Sequence, residues 1–170
     1  MTHEARARQS RAPIDPDVSI RDAAQRRELI GRHVPVLASI AAGGVIGAEA
    51  RYALARALPH GATGLPWSTL LINVVGSALI GVLMVTILEA RRPHRLARPF
   101  LGVGLLGGFT TFSSYSVDAQ QLLQAHRAAS AAVYLLLTLL CGLLAVALGV
   151  VGTRAVAGTL RRARRSRGRR

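Results

Sequence analysis

The sequence contains no lysine, a single cysteine (Cys141), and so few aromatic residues that they make up 4% of the 170 positions. A lone cysteine excludes a small secreted domain held together by disulfides. The five histidines are scattered at the edges of apolar segments, which argues against a metalloenzyme. Acidic residues are also scarce, at 8 against 22 basic residues, so the formal net charge is +14.

Charged and apolar residues occupy separate parts of this chain. Hydrophobic residues make up 51% of the sequence, yet the charges concentrate in residues 1–33, 89–98 and 154–170. A chain of this length forms about one domain. Such segregation excludes an ordinary soluble domain, because charged and apolar side chains cannot share one uniform core.

Four apolar segments lie between the charged ones. Residues 65–88, 99–117 and 128–153 carry no charge, whereas the shorter segment 34–48 must extend through Glu49 and Arg51 to cross a membrane. A membrane-spanning helix needs about 20 residues, and lipid offers no partner to the backbone of an open strand. Buried soluble helices are the alternative, but the chain has no amphipathic helices to cover them. We therefore predict an all-α protein with four membrane spans.

The two ends are predicted to lie outside the membrane domain of residues 34–153. Residues 1–33 contain seven arginines, five acidic residues and few apolar ones, a composition typical of a disordered extension. Residues 154–170 form a basic tail whose like charges repel. We expect this tail to meet anionic lipid head groups rather than nucleic acid.

The distribution of arginine predicts the orientation in the membrane. With four spans, 19 arginines lie on the side of the two termini and 3 on the other side. Arginine-rich loops remain in the cytoplasm. Both termini are therefore predicted to be cytoplasmic in a multi-pass protein of the cell membrane.

The third span has an unusual centre. Two adjacent glycines, Gly107 and Gly108, each weaken a helix by about 1 kcal/mol relative to alanine, and Thr110 and Thr111 follow. A break there would free main-chain carbonyls, which membranes tolerate where they line a cavity or bind an ion. The alternative is an unbroken helix in which the glycines only pack. If the helix is broken, replacing Gly107 with a β-branched residue such as valine is expected to cause a severe loss of activity.

Aromatic and hydroxyl side chains follow these threonines. Phe112 and Tyr115 share a helix face, and Ser113 and Ser114 lie beside them. The positive edge of an aromatic ring and a hydroxyl can together replace water around a small anion. The alternative is that the two rings simply fill a gap in the core.

Two further polar residues are costly inside a membrane. Asn73 stands among apolar neighbours in the second span, so it must face the bundle or a water-filled path. Ser77 and Gly81 share its helix face. Arg51 either extends to water, pairs with a neighbour or serves function directly. Small residues four apart, such as Gly43 with Gly47 and Gly104 with Gly108, predict close helix packing.

Three sequence motifs resemble those of the Fluc (CrcB) family of bacterial fluoride channels. They are GGVIGAEARY at residues 43–52, TLLINVVGS at 69–77 and GGFTTFSSY at 107–115. The third motif is specific, the other two support it, and the resemblance covers residues 34–153. The family has phenylalanine where this chain has Tyr115 and usually threonine where it has Ser114. The tyrosine hydroxyl could bond fluoride or its water.

The resemblance implies an antiparallel dimer with two narrow pores and a passive, fluoride-selective path that lowers cytoplasmic fluoride. It implies a structural, non-transported Na⁺ at the dimer centre, held by the main-chain carbonyls of Gly107 and Thr110. The residues that it places on or near the fluoride path are Asn73, Phe112, Ser113, Ser114, Tyr115, Arg51 at the aqueous entry and Tyr134 in span four.

Two other functions remain as alternatives to an ion channel, and neither is an enzyme. A small proton-coupled multidrug-type exporter needs a carboxylate at mid-depth in the membrane, and Glu49 is the candidate. A membrane protein that tethers other molecules through its arginine tail would leave Asn73 and the third motif without a role.

Because the arginine bias holds the chain in one orientation, an antiparallel dimer requires a homologous partner of opposite topology. A homodimer is the alternative.

Overall fold

A computed structural model describes residues 23–59, 61, 64–89 and 95–167, and all regular structure in these ranges is helical. The helices are α1 (Ala23–Ala57), α2 (Trp67–Glu89), a π-helix (Arg98–Leu106), the single turn α3 (Gly107–Phe109), α4 (Phe112–Gln124) and α5 (Ala128–Arg167). Val36–Arg170 forms one of the two compact units into which the chain divides. Its boundary inside α1 coincides with Pro35, which cannot donate a hydrogen bond to the preceding turn.

Three helices in the described part of the chain are long and apolar enough to cross a membrane. They comprise His33–Ala57, Trp67–Ile87 and Ala128–Thr159, with mean hydropathy of 1.3, 2.4 and 2.6. The last two match the predicted apolar segments 65–88 and 128–153. The first continues through Glu49 and Arg51, as its short apolar segment required.

The third apolar segment is broken, which decides between the two interpretations of its sequence. The break lies at Thr110 and Thr111, whose extended backbones have ψ angles of 158° and 125°. Gly107 and Gly108 themselves are helical, so the break falls after the glycine pair rather than at it. Beyond α4, His126 takes a φ of 57° in the tight turn that leads to α5.

Glycines allow α1 to pack directly on the backbone of the broken segment. A side chain at Gly104 would stand 2.5 Å from the Ile40 carbonyl oxygen and 3.0 Å from the Cα of Gly43. Gly47 packs in the same way against Leu105. The small residues four apart therefore confirm the predicted close approach.

The same principle joins α2 to α5. A side chain at Gly81 would meet the Val146 carbonyl, and one at Gly149 would meet the Ala78 carbonyl. Beside this contact, the Ser77 hydroxyl lies 3.4 Å from the position that a Cβ at Gly142 would occupy. These contacts place the polar face of α2 against α5.

A small core lies where α4 meets α5. Tyr134 is fully buried there and packs with Ala119, Leu122 and Ala131. Most of the remaining apolar surface of α5 points outward, with Leu136, Leu140 and Leu143 about 60% exposed. Such an exterior suits a lipid or protein environment rather than water.

The chain ends differ in part from the sequence prediction. Residues 23–33 belong to α1, although the composition predicted a disordered extension through residue 33. Local helix propensity and the continuous apolar helix that follows extend the helix backward. Residues 1–22 lie outside the described part of the chain. The predicted basic tail continues α5 as helix through Arg167.

Candidate functional site at the helix break

At the break, two N–H groups donate to side-chain oxygens instead of to the carbonyls that they would bond in a continuous helix. In a continuous helix, the Thr111 N–H would donate to the Gly107 carbonyl, and the Ser114 N–H to the Thr110 carbonyl. Instead, Thr111 N–H donates to Asn73 Oδ1 at 2.9 Å, and Ser114 N–H donates to Thr111 Oγ1 at 3.1 Å. The carbonyls of Gly107 and Thr110 are thereby released from the helical pattern.

Asn73 bonds both main-chain groups of the residue at the centre of the break. Its Nδ2 donates to the Thr111 carbonyl at 2.9 Å, and its Oδ1 accepts from the Thr111 N–H at 2.9 Å. The amide thus supplies the donor and acceptor that the interrupted helix lacks. Asn73 faces the bundle, as its cost in a membrane required, and it acts there as a clamp on the break.

The hydroxyls that follow form a cluster around Thr111. Its Oγ1 donates to Ser114 Oγ at 3.2 Å and lies 3.2 Å from Ser113 Oγ. Thr111 is buried, and it caps the first turn of α4, which satisfies an otherwise free N–H group. Ser113 and Ser114 are therefore held beside the break by a residue that the sequence analysis had not selected for the site.

Three aromatic rings form a continuous row from the surface to the core. The ring centroids of Phe112 and Tyr115 are 5.8 Å apart, and those of Tyr115 and Tyr134 are 5.4 Å apart, both pairs tilted. Phe112 is 79% exposed, whereas Tyr134 is fully buried. The tilted arrangement is one that aromatic pairs favour.

The hydroxyls of both tyrosines have partners within the chain. Tyr115 Oη donates to the Leu135 carbonyl at 2.9 Å, and Tyr134 Oη donates to Asp118 Oδ2 at 3.3 Å. A hydroxyl has one hydrogen to donate. In this conformation, the Tyr115 hydroxyl ties α4 to α5 and has no hydrogen left for an anion or its water.

A cavity of about 400 Å³ opens beside the break, between α2, α4 and α5. None of its lining residues carries a charge. They are Asn73, Ser77, Ile80, Thr110, Thr111, Phe112, Tyr115, Thr138 and Leu139. The surface therefore combines apolar walls with amide, hydroxyl and ring-edge dipoles, which can solvate a small ion without a fixed countercharge.

The cavity brings together only part of the predicted site. Asn73, Phe112 and Tyr115 line it, Ser113 and Ser114 adjoin it through Thr111, and Tyr134 lies behind Tyr115. Arg51, which lies in α1, does not line it. The sequence analysis missed Thr138, although a hydroxyl in the apolar run of α5 is the kind of signal that indicates a polar path.

We predict that Asn73→Ala lowers the free energy of unfolding by about 2–6 kcal/mol, because both main-chain groups of the buried Thr111 lose their partner at about 1–3 kcal/mol each. Thermal unfolding of the detergent-purified protein measures this loss. Thr86→Val is the matched control, because the Thr86 hydroxyl bonds only carbonyls of its own helix, those of Val82 and Leu83. Equal stability of Asn73→Ala and the control would contradict the clamp.

Apolar helices long enough to span a membrane, together with a broken helix beside an uncharged cavity, define a multi-pass membrane protein. The sequence model described as "CrcB-like protein, Camphor Resistance (CrcB)" matches residues 38–150. The chain belongs to this CrcB family.

Curated relatives extend the comparison over most of the chain. A protein of Streptomyces avermitilis named "Fluoride-specific ion channel FluC 2" is 49% identical over 125 residues, covering 74% of this chain and 79% of the relative. "Fluoride-specific ion channel FluC 1" of Streptomyces coelicolor is 48% identical, covering 81% and 89%. "Fluoride-specific ion channel FluC 2" of Thermobifida fusca is 51% identical, covering 66% and 83%.

Proposed function

We propose that this protein is a subunit of a fluoride-specific channel, in which the cavity beside the helix break forms part of the fluoride path. The observation that carries the proposal is the uncharged lining of that cavity by an amide, hydroxyls and aromatic rings. The names of its relatives support fluoride as the ion. The family is one of ion channels and not of enzymes.

The dipolar lining suits conduction better than tight binding. Conduction requires that an ion bind well enough to enter and weakly enough to leave. An arginine in the cavity would hold an anion strongly, whereas the Asn73 amide, hydroxyls and the positive edge of the Phe112 ring offer partial charges. We infer that fluoride exchanges part of its water for these groups.

We further propose that the remaining predicted residues serve the same path. Ser113 and Ser114 would offer hydroxyl groups as hydrogen-bond donors at its side, and Tyr134 would support the aromatic row from the core. Arg51 would attract fluoride at the aqueous entry of α1, since a cation near an entrance concentrates anions.

The released carbonyls support a structural Na⁺ held by Gly107 and Thr110. Main-chain oxygens are suitable ligands for a hard cation. No cluster of three or more histidine, cysteine, aspartate or glutamate side chains occurs in the part of the chain that the structure describes. Carbonyls from one subunit would provide half of the ligands, and an antiparallel partner would provide the rest. In this proposal Na⁺ holds the dimer and is not transported.

Four spans, with the broken segment counted as the third, and an antiparallel dimer complete the proposed assembly. The cavity is open along one side of the single chain, which supports closure of the path by a second subunit. We propose that both termini face the cytoplasm of a cell membrane, where the arginine tail meets anionic lipids. Fluoride enters cells as neutral HF and ionises inside, so a passive channel lets the ion leave down its electrochemical gradient.

The proton-coupled exporter has less support than the channel. Such an exporter needs a titratable carboxylate on the solute path, and no residue that lines the cavity is acidic. Glu49 lies in α1, two residues from Arg51, and does not line the cavity.

Efflux from liposomes tests the proposed function. Purified full-length protein is reconstituted into vesicles loaded with fluoride or chloride, alone and with any homologous subunit encoded beside it. We expect rapid fluoride release and no chloride release. Equal release of both ions, or none of either in both preparations, would contradict a fluoride-specific channel.

We predict that this chain expressed alone does not protect a fluoride-sensitive host, because 19 arginines against 3 hold every copy in one orientation. Co-expression with a four-span homologue of opposite arginine bias should restore growth on fluoride. C-terminal reporter tags measure orientation. The matched variant has residues 160–170 deleted and Arg91, Arg92, Arg95 and Arg98 changed to glutamine. This leaves 8 arginines against 3, and the weaker bias should let a fraction of its copies insert in the opposite orientation. Robust rescue by the unmodified chain, with tags on both sides, would instead establish a homodimer.

A further inference from the structure

One hydroxyl in the cavity differs from the others in its hydrogen bonding. A hydroxyl has a single hydrogen to donate, and four of the five hydroxyls that line the cavity donate theirs within the chain. The pairs are Thr110 to the Leu106 carbonyl, Thr111 to Ser114 Oγ, Tyr115 to the Leu135 carbonyl and Thr138 to the Tyr134 carbonyl. The fifth, Ser77, makes no hydrogen bond to any residue that the structure describes.

This difference is informative because Ser77 lies inside a helix. A serine there ordinarily bonds a carbonyl one turn earlier, as Ser116 does with the Phe112 carbonyl at 3.0 Å. Ser77 is half-buried, and its Oγ instead points towards α5, 3.4 Å from where a Cβ at Gly142 would stand. The missing side chain at Gly142 leaves room for the hydroxyl at the cavity wall.

A second free donor lies one helical turn away. The Asn73 amide has two Nδ2 hydrogens, and one of them donates to the Thr111 carbonyl. Asn73 and Ser77 are four residues apart and share one face of α2. The lining of the cavity thus presents an unused hydroxyl hydrogen beside an unused amide hydrogen.

We propose that Ser77 is a fluoride-contacting residue, which donates its hydroxyl hydrogen to the ion as the ion passes Asn73. This inference rests on the proposed channel function and adds a residue to its path. A small anion with a tightly held hydration shell needs donors that are free of intrachain partners, since a donor already engaged must break its bond first. Ser116 carries an engaged hydroxyl and does not line the cavity, so it is predicted to contribute little.

The test compares Ser77→Ala with Ser116→Ala in full-length protein in liposomes, with the homologous subunit present where conduction needs it. Each variant removes one serine hydroxyl, the first from the cavity lining and the second from outside it. We expect Ser77→Ala to slow fluoride efflux about tenfold, because a hydrogen bond to a charged group contributes at least that factor. The fluoride concentration that gives half-maximal flux should also rise. Ser116→Ala should stay within about twofold of the unmodified protein.

The outcomes separate this inference from the proposed function. Fluoride conduction by the unmodified protein with unchanged flux in Ser77→Ala would overturn the role of Ser77 alone. Equal loss in both variants would also overturn it, since the engaged hydroxyl would then matter as much. Unchanged flux with a weaker dimer would show that Ser77 bonds the partner subunit instead. Absence of fluoride conduction by the unmodified protein would overturn the channel and the role of Ser77 together.

Discussion

Replacing Phe112 with isoleucine is expected to slow fluoride efflux by at least about tenfold, equivalent to roughly 1.4 kcal/mol in the barrier, while the protein remains folded. Phe112 is 79% exposed in the single chain, so its ring adds little to the packing of the fold. Isoleucine keeps much of the bulk but has no positive ring edge. Efflux from fluoride-loaded liposomes measures the effect, and gel filtration shows whether the protein is intact.

Tyr115→Phe is the matched control for Phe112→Ile. The substitution keeps the ring and removes the hydroxyl, which already donates to the Leu135 carbonyl. Fluoride efflux should be nearly unchanged, and the lost hydrogen bond should lower the free energy of unfolding by about 1 kcal/mol. Normal efflux in Phe112→Ile together with slow efflux in Tyr115→Phe would assign the anion path to the hydroxyl and contradict the role given to the rings.

Gly104→Val is expected to destabilise the fold by roughly 3 kcal/mol or more, because overpacking a tight site is costly. A side chain at Gly104 would stand 2.5 Å from the Ile40 carbonyl oxygen, and a backbone atom cannot move away as a flexible side chain can. The helices α1 and the π-helix would have to separate along this contact. Thermal unfolding and the yield of monodisperse protein measure the result.

Gly107→Val provides the contrast, in the same segment and with the same substitution. Apart from the adjacent turns of its own helix, nothing in the described chain comes nearer than 4.0 Å to a Cβ at Gly107, and the residue has ordinary helical angles. The severity predicted from sequence for a branched residue at position 107 stays a prediction for the assembled protein. Within the single chain, the crowding falls on Gly104 and Gly108. Equal loss of folded protein in both variants would contradict the packing of α1 on this segment.

The sequence alone predicted the apolar segments and the unusual character of the third motif, because both depend on the local pattern of residues. The length and hydropathy of residues 65–88 and 128–153 dictate spanning helices in any arrangement. The Asn73 amide in an apolar segment likewise requires a hydrogen-bond partner, but the sequence alone does not identify that partner. The partner proved to be the backbone of Thr111, 38 residues away.

The position of the break shows the limit of local reasoning. Glycine lowers helix propensity and directed attention to Gly107 and Gly108, yet both remain helical. The chain opens at Thr110 and Thr111, where the Asn73 amide and the Thr111 hydroxyl replace the lost helical bonds. Tertiary hydrogen bonds thus outweighed propensity, as they commonly do.

By itself, the sequence determined that this is an all-helical membrane protein with segregated arginines, because hydropathy and charge act through composition and need no fold. Its motifs also carried the resemblance to the CrcB family. Only the tertiary structure decided which hydrogen-bond donors are engaged within the chain and which are available to an ion. The Tyr115 hydroxyl donates to the Leu135 carbonyl, whereas the Ser77 hydroxyl bonds no residue that the structure describes and can donate to an ion. That difference arises from the packing of α5 against α2 and α4, which no local pattern encodes.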